Sequence, residues 1–312
     1  MTERRVSPAS HRARARTADR GLVLLTALAV GLLLLMLALV IIDVVVGGVG
    51  ALSWEFLTAA PRRGMTEGGI LPAIVGTVAV TMLMTVAAIP AGVATAVYLT
   101  EYAPRHRAIT RLARLCIANL AGIPSIVFGL FGLGFFISTV GRAIDTAAFG
   151  GVPTYGKPSL IWAALTLAIL TLPVIVVATE EAIRTVPRDL RDASLAVGAT
   201  KLQTILRVVL PEALGGILTG AILAVSRGAG EVAPILFTGV AYFLPYLPTH
   251  LNDPFMSLGY HVYVLATQSP DVDRTKPLLY GTVLVLLSLT FVLNLLAVTI
   301  RSRMRRRRFS TV

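Results

Sequence analysis

Two full charges stand inside an otherwise apolar stretch of this sequence. Arg227 and Glu231 lie in "LAVSRGAGEVAPIL", within a run at 213–240 that is long and apolar enough for a membrane span. In a helix, a separation of four residues places both side chains on one face. A guanidinium carries a planar fork of donors that suits an oxyanion such as phosphate, and charges inside a membrane generally mark functional sites. The pattern predicts an anion path past Arg227, with Glu231 moderating the attraction.

Mutual neutralisation is the alternative explanation of this pair. An arginine within a span costs about 2.5 to 3.5 kcal/mol on insertion scales, which several Leu and Ile residues at about 0.5 kcal/mol each offset. Arg227 lies 16 residues beyond Pro211, which is roughly 24 Å along a helix and past the middle of a bilayer. Both interpretations stay open on the residues alone.

No catalytic or metal-binding pattern accompanies the pair. The four histidines show no HExxH spacing, and the single cysteine, Cys116, can form neither an internal disulfide nor a cysteine metal site. The segment 151–159, "GVPTYGKPS", fits GxxxxGK but has Pro158 where a nucleotide loop needs Ser or Thr, and no strand precedes it. We interpret it as a turn. We expect the chain to bind no cofactor or metal itself and not to be an enzyme.

The elements that must hold these residues are membrane-spanning helices. The chain has 312 residues, of which 55% are hydrophobic and 14% charged, and this composition is far from that of a water-soluble domain. A helical span needs about 20 mainly apolar residues. Six stretches meet that length: 22–46, 70–99, 115–140, 160–179, 213–240 and 278–300. We predict an all-α integral membrane protein, with a six-helix domain at 21–300 between basic tails at 1–20 and 301–312.

The distribution of Lys and Arg orients these spans. With the N-terminus inside, 21 of the 28 basic residues lie in inner segments, six in outer loops and one, Arg227, within a span. Since positively charged loops stay cytoplasmic, both termini are predicted to be cytoplasmic in a bacterial cell membrane. The same sorting explains the net charge of +12 as a topology signal. It predicts membrane lipid, not nucleic acid, as the neighbour of the arginine-rich ends.

The inner loop at 180–212 is longer than a connection between helices requires. Pro187 suits the first turn of a helix, and Gly198 is placed to end that helix in a left-handed cap. Three apolar residues share one face of this first helix: Leu190, Ala193 and Val197.

A second short helix follows in the same loop. Thr200 and Gln203 have capping-box spacing, and we expect the helix to end before Pro211. Two short amphipathic helices at a glycine corner predict either a docking surface or a pair that lies on the membrane interface. Periodicity alone does not choose between them.

The segment "DASLAVGATKLQTILRVVLP" resembles the EAA loop of ABC importer permeases. The family pattern is EAA, three residues, Gly, nine residues, Ile, one residue and Leu-Pro. The matching positions are Asp192, Ala193, Ser194, Gly198, Val208, Leu210 and Pro211. Asp replaces Glu, Ser replaces the second Ala, and Val replaces Ile. The resemblance implies that this loop, Ala199 included, couples to a separate ATP-hydrolysing subunit by inserting into a cleft on it.

Longer segments resemble the PstA-type permeases of ABC phosphate importers. They include "FLTAAPRRGMTEGGILPAIVGTVAVT", "IPAGVATAVYLTEYAP", "GIPSIVFGLFGLGFF" and "RGAGEVAPIL". The resemblance implies a type I ABC importer permease fold and half of a phosphate path, shared with a PstC-like permease. It also implies a PstB-like ATPase dimer, which binds ATP and Mg, and a PstS-like external binding protein that supplies inorganic phosphate. In that family the corresponding intramembrane charges are implicated in transport, which assigns this role to Arg227 and Glu231.

Other interpretations remain open at this point. The PstC-type position, or another oxyanion such as sulfate or molybdate, fits the same fold. An ATP-independent anion transporter and a non-transporting membrane scaffold are alternatives of other classes. Pro90 and Pro124 interrupt the hydrogen-bond ladder in the second and third predicted spans. They either line the path or are ordinary prolines of membrane helices.

Overall fold

Helices make up most of the chain that the computed structural model describes, which is residues 8–65, 67–104, 106–269 and 272–309. The first six are α1 Pro8–Gly48, α2 Trp54–Thr58, α3 Leu71–Val97, α4 Ala108–Leu120, α5 Ser125–Phe131 and α6 Arg142–Ala148. The others are α7 Leu160–Thr185, α8 Arg188–Ala196, α9 Lys201–Thr204, α10 Leu210–Gly230, α11 Leu258–Thr267 and α12 Val272–Phe309. Strands β1 (Pro61–Arg62) and β2 (Glu67–Gly68) form an antiparallel pair. Residues 1–7 and 310–312 of the predicted basic tails lie outside the described residues.

Six helical stretches in this described part are long and apolar enough to cross a membrane. They are Asp19–Ala51, Leu71–Tyr102, Ser125–Ala148, Leu160–Thr185, Lys201–Gly230 and Thr275–Arg303. The predicted number of spans is confirmed, and the chain is a multi-pass membrane protein. The first span exposes nearly all of its side chains, which suits contact with lipid.

Helix α7 forms the centre of the bundle, packed between α3 and α10. Gly216 and Gly220 of α10 face α7 so closely that an added Cβ would lie 2.4 Å and 2.6 Å from the Cβ atoms of Ala182 and Ala178. The small residues at this four-residue step thus let α7 and α10 approach each other. We call the end of the bundle that carries residues 180–212 the loop end, and the other the opposite end.

Two predicted spans have the wrong bounds. The fifth helix ends at Gly230, although the apolar run continues to residue 240. The third span begins at Ser125 and not at residue 115, because the preceding residues form the separate helix α4. Pro124 therefore lies immediately before α5 and interrupts no span. Pro90 lies inside α3, which continues past it.

Three stretches of π-helix continue α-helices without a break. They are Tyr98–Tyr102 after α3, Gly132–Gly141 between α5 and α6, and Ile205–Val209 between α9 and α10. The predicted helix end before Pro211 is therefore wrong. The helix that starts at Lys201 runs through Pro211, which occupies the first turn of α10. Proline is tolerated in a first turn, and the helix continues regularly beyond it to Gly230.

Candidate functional site

The site around Arg227 lies where helix α10 stops. Arg227 is in the last turn, and Glu231 follows Gly230 as an extended capping residue with φ −75° and ψ 134°. Residues 232–257 form no helix. Gly228, Gly230 and the later Pro234 are signals for such an end. The negative end of the helix dipole also stabilises a cation in the last turn.

The helix end lies near the middle of the bundle. An added Cβ on Gly228 would lie 2.2 Å from the sulfur of Met84 and 3.7 Å from Thr171 Cγ2. Thr171 is 11 residues from the start of α7 and 14 from its end, or roughly 17 Å and 21 Å. Arg227 is therefore placed slightly to the opposite-end side of the middle. At such a depth, irregular backbone is tolerated only where protein buries it or where it lines a watery cavity.

Protein covers the irregular backbone after Glu231 on two sides. Gly129 of α5 faces it so closely that a Cβ would lie 2.9 Å from the carbonyl oxygen of Pro234. Gly132, one helical turn further along, similarly faces Thr238. At the start of α7, the backbone N–H of Ser159 donates to the carbonyl of Thr238 at 2.8 Å. These contacts fix the segment that carries Glu231.

Arg227 and Glu231 form an ion pair that leaves most of the guanidinium unused. Nε of Arg227 lies 3.4 Å from Oε1 of Glu231, and the two side chains are 40% and 20% exposed. Among the described residues no other hydrogen-bond or ion-pair partner of Arg227 is present. Both terminal nitrogens therefore remain available. Together they can bind an oxyanion in bidentate fashion.

The loop at 180–212, the proposed coupling loop, has the predicted local geometry. Gly198 has φ +86°, the left-handed conformation, and Thr200 and Gln203 form both hydrogen bonds of a capping box. The turn separates α8 from the long helix that begins at Lys201. The predicted glycine corner and capping box are confirmed.

The predicted apolar face of α8 points away from the bundle. Val197 is 84% exposed and Leu190 is exposed as well, and no residue of α8 is buried. Leu202 and Leu206 add exposed apolar surface on the second limb. Such an exposed apolar patch marks a surface that meets either a protein partner or the membrane.

The residues predicted to couple to an ATPase spread over both limbs of this loop. Asp192, Ala193 and Gly198 are exposed, whereas Ala199 is half-buried. Ser194 shares a 3.0 Å hydrogen bond with Thr204 and so joins α8 to α9. Leu210 and Pro211 are half-buried in the first turn of α10.

The GxxxxGK near-match is a turn, as predicted. Residues 149–159 form neither helix nor strand. The carboxylate of Asp145 accepts backbone N–H groups from Thr154, Tyr155 and Gly156 at 2.7 to 3.0 Å. The carboxylate thereby organises the turn at the opposite end. No group of His, Cys, Asp and Glu suited to a metal ion occurs among the described residues.

One buried titratable group lies on α11, outside the spans. His261 is 4% exposed and its Nδ1 has no hydrogen-bond partner. Burial lowers the pKa of His261 to about 4, because desolvation disfavours the charged imidazole. His261 lines a small cavity, and Glu67 is the acidic residue in the wall of that cavity.

Ion pairs at the loop end were not predicted from the sequence. Glu180 of α7 pairs with Arg114 of α4 and, at 2.8 Å, with Arg184. Glu101, in the π-helical end of α3, pairs with Arg191 of α8. Glu101 and Arg191 are 90 residues apart in sequence, so no local pattern joins them. Acidic residues where apolar spans end, on the side of the loop end, were the one available signal.

Comparison with known proteins places the chain in a family. The pattern of the family described as "Binding-protein-dependent transport system inner membrane component" matches residues 88–306. The chain belongs to this family. It is therefore a permease component of a transport system, and the resemblance drawn from its loop motif is confirmed.

Individual relatives agree with this placement. The chain is 36% identical over 242 residues to the phosphate transport system permease protein PstA 1 of Mycobacterium tuberculosis (strain CDC 1551 / Oshkosh), covering 77% of this chain and 73% of the relative. It is 34% identical to the phosphate transport system permease protein PstC of Mesorhizobium japonicum, covering 66% and 67%. The PstA relative matches a larger share of both chains than the PstC relative does, and the PstA-type resemblance is confirmed.

Solved structures establish the fold. A chain of a bacterial alginate ABC transporter, in complex with an alginate pentasaccharide-bound periplasmic protein, superposes with a TM-score of 0.68 and 15% identity. The match covers 93% of this chain and 97% of that one. The fold is that of a type I ABC importer permease, as predicted.

Proposed function

We propose that this chain is the PstA-type permease subunit of an ATP-driven phosphate importer and forms half of its translocation path. The observation that carries the proposal is the Arg227 guanidinium. It lies at a helix end near the middle of the bundle, is partly exposed, and has no partner among the described residues for either terminal nitrogen. A fork of donors in that position suits a tetrahedral oxyanion. The named relative of PstA type supports phosphate as that oxyanion.

In this proposal Glu231 limits how tightly the site holds phosphate. Conduction needs attraction strong enough for entry and weak enough for release. The carboxylate, 3.4 Å from Nε, competes with the phosphate for the guanidinium. It also repels the negative charge of the phosphate. High-affinity capture is left to an external binding protein.

The partners follow from the same proposal. A PstC-like permease supplies the other half of the path, a PstB-like ATPase dimer binds ATP and Mg and receives the loop around Gly198, and a PstS-like protein delivers phosphate from outside. This chain then holds no cofactor and catalyses no reaction. Both termini are cytoplasmic, because 21 of the 28 basic residues lie in segments that share a side with the termini and positively charged segments stay inside.

Uptake by the reconstituted four-component transporter tests the proposal. Radiolabelled phosphate uptake into proteoliposomes should require this chain, the second permease, the ATPase and the binding protein together. Uptake by this chain alone would contradict the proposal. Excess sulfate or molybdate should leave uptake unchanged, and competition by either would reassign the substrate.

Variants at Arg227 test the site itself. Arg227→Gln should lower uptake roughly tenfold or more, since hydrogen bonds to a charged group contribute about 1.5 to 3 kcal/mol. Arg227→Lys keeps the charge without the fork and should fall between Gln and the wild type. Wild-type uptake by Arg227→Gln, in a complex that still hydrolyses ATP, would refute the assignment.

A further inference from the structure

Helix α8 carries the exposed apolar face of the coupling loop, yet apolar packing does not hold it to the bundle. None of its residues is buried, and the left-handed corner at Gly198 follows it. Its polar contacts must therefore fix its position. Only two of its side chains form hydrogen bonds or ion pairs with other elements in the part of the chain described: Ser194, through a single hydroxyl pair with Thr204, and Arg191.

Arg191 reaches two elements of the bundle at once. One terminal nitrogen pairs with the carboxylate of Glu101, and the other donates to the carbonyl oxygen of Ile183 at 2.7 Å. The side chains of Arg191 and Glu101 are only 22% and 11% exposed. Nε of Arg191 is buried without an acceptor. A guanidinium removed from water in this way depends on its carboxylate, because an unpaired charge in such a position is costly.

The second limb of the loop meets the same turn of α3. Lys201 donates to the carbonyl oxygen of Glu101, and its ammonium group lies 4.8 Å from the centre of the Tyr102 ring. Cationic groups are favourable next to the last carbonyls of a helix. Both limbs of the loop are thus bound to one π-helical turn, Tyr98–Tyr102.

The same helix leads to the proposed anion site. Met84 lies 17 residues before Glu101, roughly 25 Å along α3. It is fully buried and packs on Gly228, next to Arg227, with no room for a Cβ between them. Helix α3 therefore contacts the loop at one end and the neighbour of Arg227 near its middle.

We propose that Glu101 is a positioning residue that holds α8 to the end of α3, so that displacement of the loop reaches Arg227 along α3. This inference rests on the proposed function, because it assumes that the loop receives the work of ATP hydrolysis. Helix α10 is continuous with the second limb only. The grip on Glu101 makes the first limb move with the bundle as well.

The test compares two neutralising variants with a double replacement. Glu101→Gln and Arg191→Gln, each in the reconstituted four-component transporter, should still hydrolyse ATP. Phosphate moved per ATP should fall roughly tenfold, which is within the usual coupling range for contacting charged residues. The double variant Glu101→Arg with Arg191→Glu restores opposite charges and should recover most of that ratio.

The matched control is Glu67→Gln. Glu67 pairs with Arg63 at 2.7 Å at the opposite end, and both side chains are well exposed. The same chemical change in an exposed pair has little effect, so the ratio should stay at the wild-type value. A wild-type ratio in Glu101→Gln, or a double variant no better than the single ones, would overturn the inference.

Hydrogen exchange gives a second measurement that does not depend on transport. Amides of residues 188–196 in the assembled complex should lose protection in Glu101→Gln and keep it in Glu67→Gln. Unchanged protection would also overturn the inference. If the wild-type complex transports no phosphate, the proposed function fails, whereas the exchange data still decide whether Glu101 holds α8.

Discussion

Replacing Gly132 by alanine drives a methyl group into the wall behind the anion site. The new Cβ would lie 2.3 Å from Thr166 Oγ1 and 2.6 Å from Thr238 Cγ2. The first distance is about 1.2 Å short of ordinary contact. Both threonines are fully buried, and their hydroxyls donate to backbone carbonyls at 2.7 Å and 3.0 Å. Neither short side chain can rotate away without losing that bond, so the backbone must separate.

Overpacking of this kind typically costs about 1 to 3 kcal/mol. The matched variant is Gly134→Ala, two residues further along the same π-helical segment, where nothing lies within 4 Å of the new Cβ. That change removes only the helix penalty of glycine and should be neutral or stabilising by up to about 1 kcal/mol. Because Thr238 belongs to the segment that carries Glu231, Gly132→Ala should also lower phosphate uptake.

Thermal unfolding of the purified complex measures the difference between these variants. Each kcal/mol corresponds to roughly 2 to 4 °C in Tm for a chain approaching this size. Gly132→Ala should therefore unfold several degrees below Gly134→Ala. Equal Tm values and equal uptake would refute the argument that the segment after Glu231 is wedged against Gly132.

Three further outcomes are expected. The folded state keeps His261 neutral, whereas the unfolded chain takes up a proton there as pH falls. The resulting contribution of about 3 kcal/mol to the free energy of unfolding should be complete above about pH 6.5 and lost as pH falls toward 4. His261→Asn should flatten the dependence of Tm on pH over that window. Thr200→Ala removes the capping-box acceptor for Gln203 and should cost about 1 kcal/mol locally, seen as faster amide exchange at 201–204, whereas Thr200→Ser should not. The side chain of Gly198→Val meets no described neighbour, but the residue must adopt φ +86°, which costs about 1 to 2 kcal/mol. This variant should lower the phosphate moved per ATP, whereas Gly215→Ala, also in open space, should not. A fully coupled Gly198→Val would contradict loop docking.

Side-chain hydropathy predicted the number of spans but not where two of them begin and end. The apolar run goes on to residue 240, so an average over side chains has no reason to stop at Gly230. The helix ends there because glycines precede Glu231 and Pro234 follows it. The same kind of signal, Gly122 before Pro124, separates α4 from α5, whereas the apolar run predicts one span with an interruption at Pro124.

The local geometry of the loop was predictable because it depends on neighbours in sequence. Gly198 needs only its own freedom at positive φ, and Thr200 needs only Gln203 three residues on. The contact between Glu101 and Arg191 depends on how α3 and α8 come together in three dimensions. For Arg227, sequence supplied the charge and the spacing to Glu231, but not the helix end at which only Nε is paired within the described part of the chain.

The π-helical turn at Ile205–Val209 sets a rotational phase. A π turn takes in about one residue more than an α turn, so every side chain beyond it is rotated by roughly 100° relative to an uninterrupted α-helix. Lys201 and Arg227 lie on either side of this turn in one continuous helix. The angle between the face that binds the end of α3 through Lys201 and the face that presents the guanidinium is therefore fixed by a single extra residue, and not by the packing of the bundle alone.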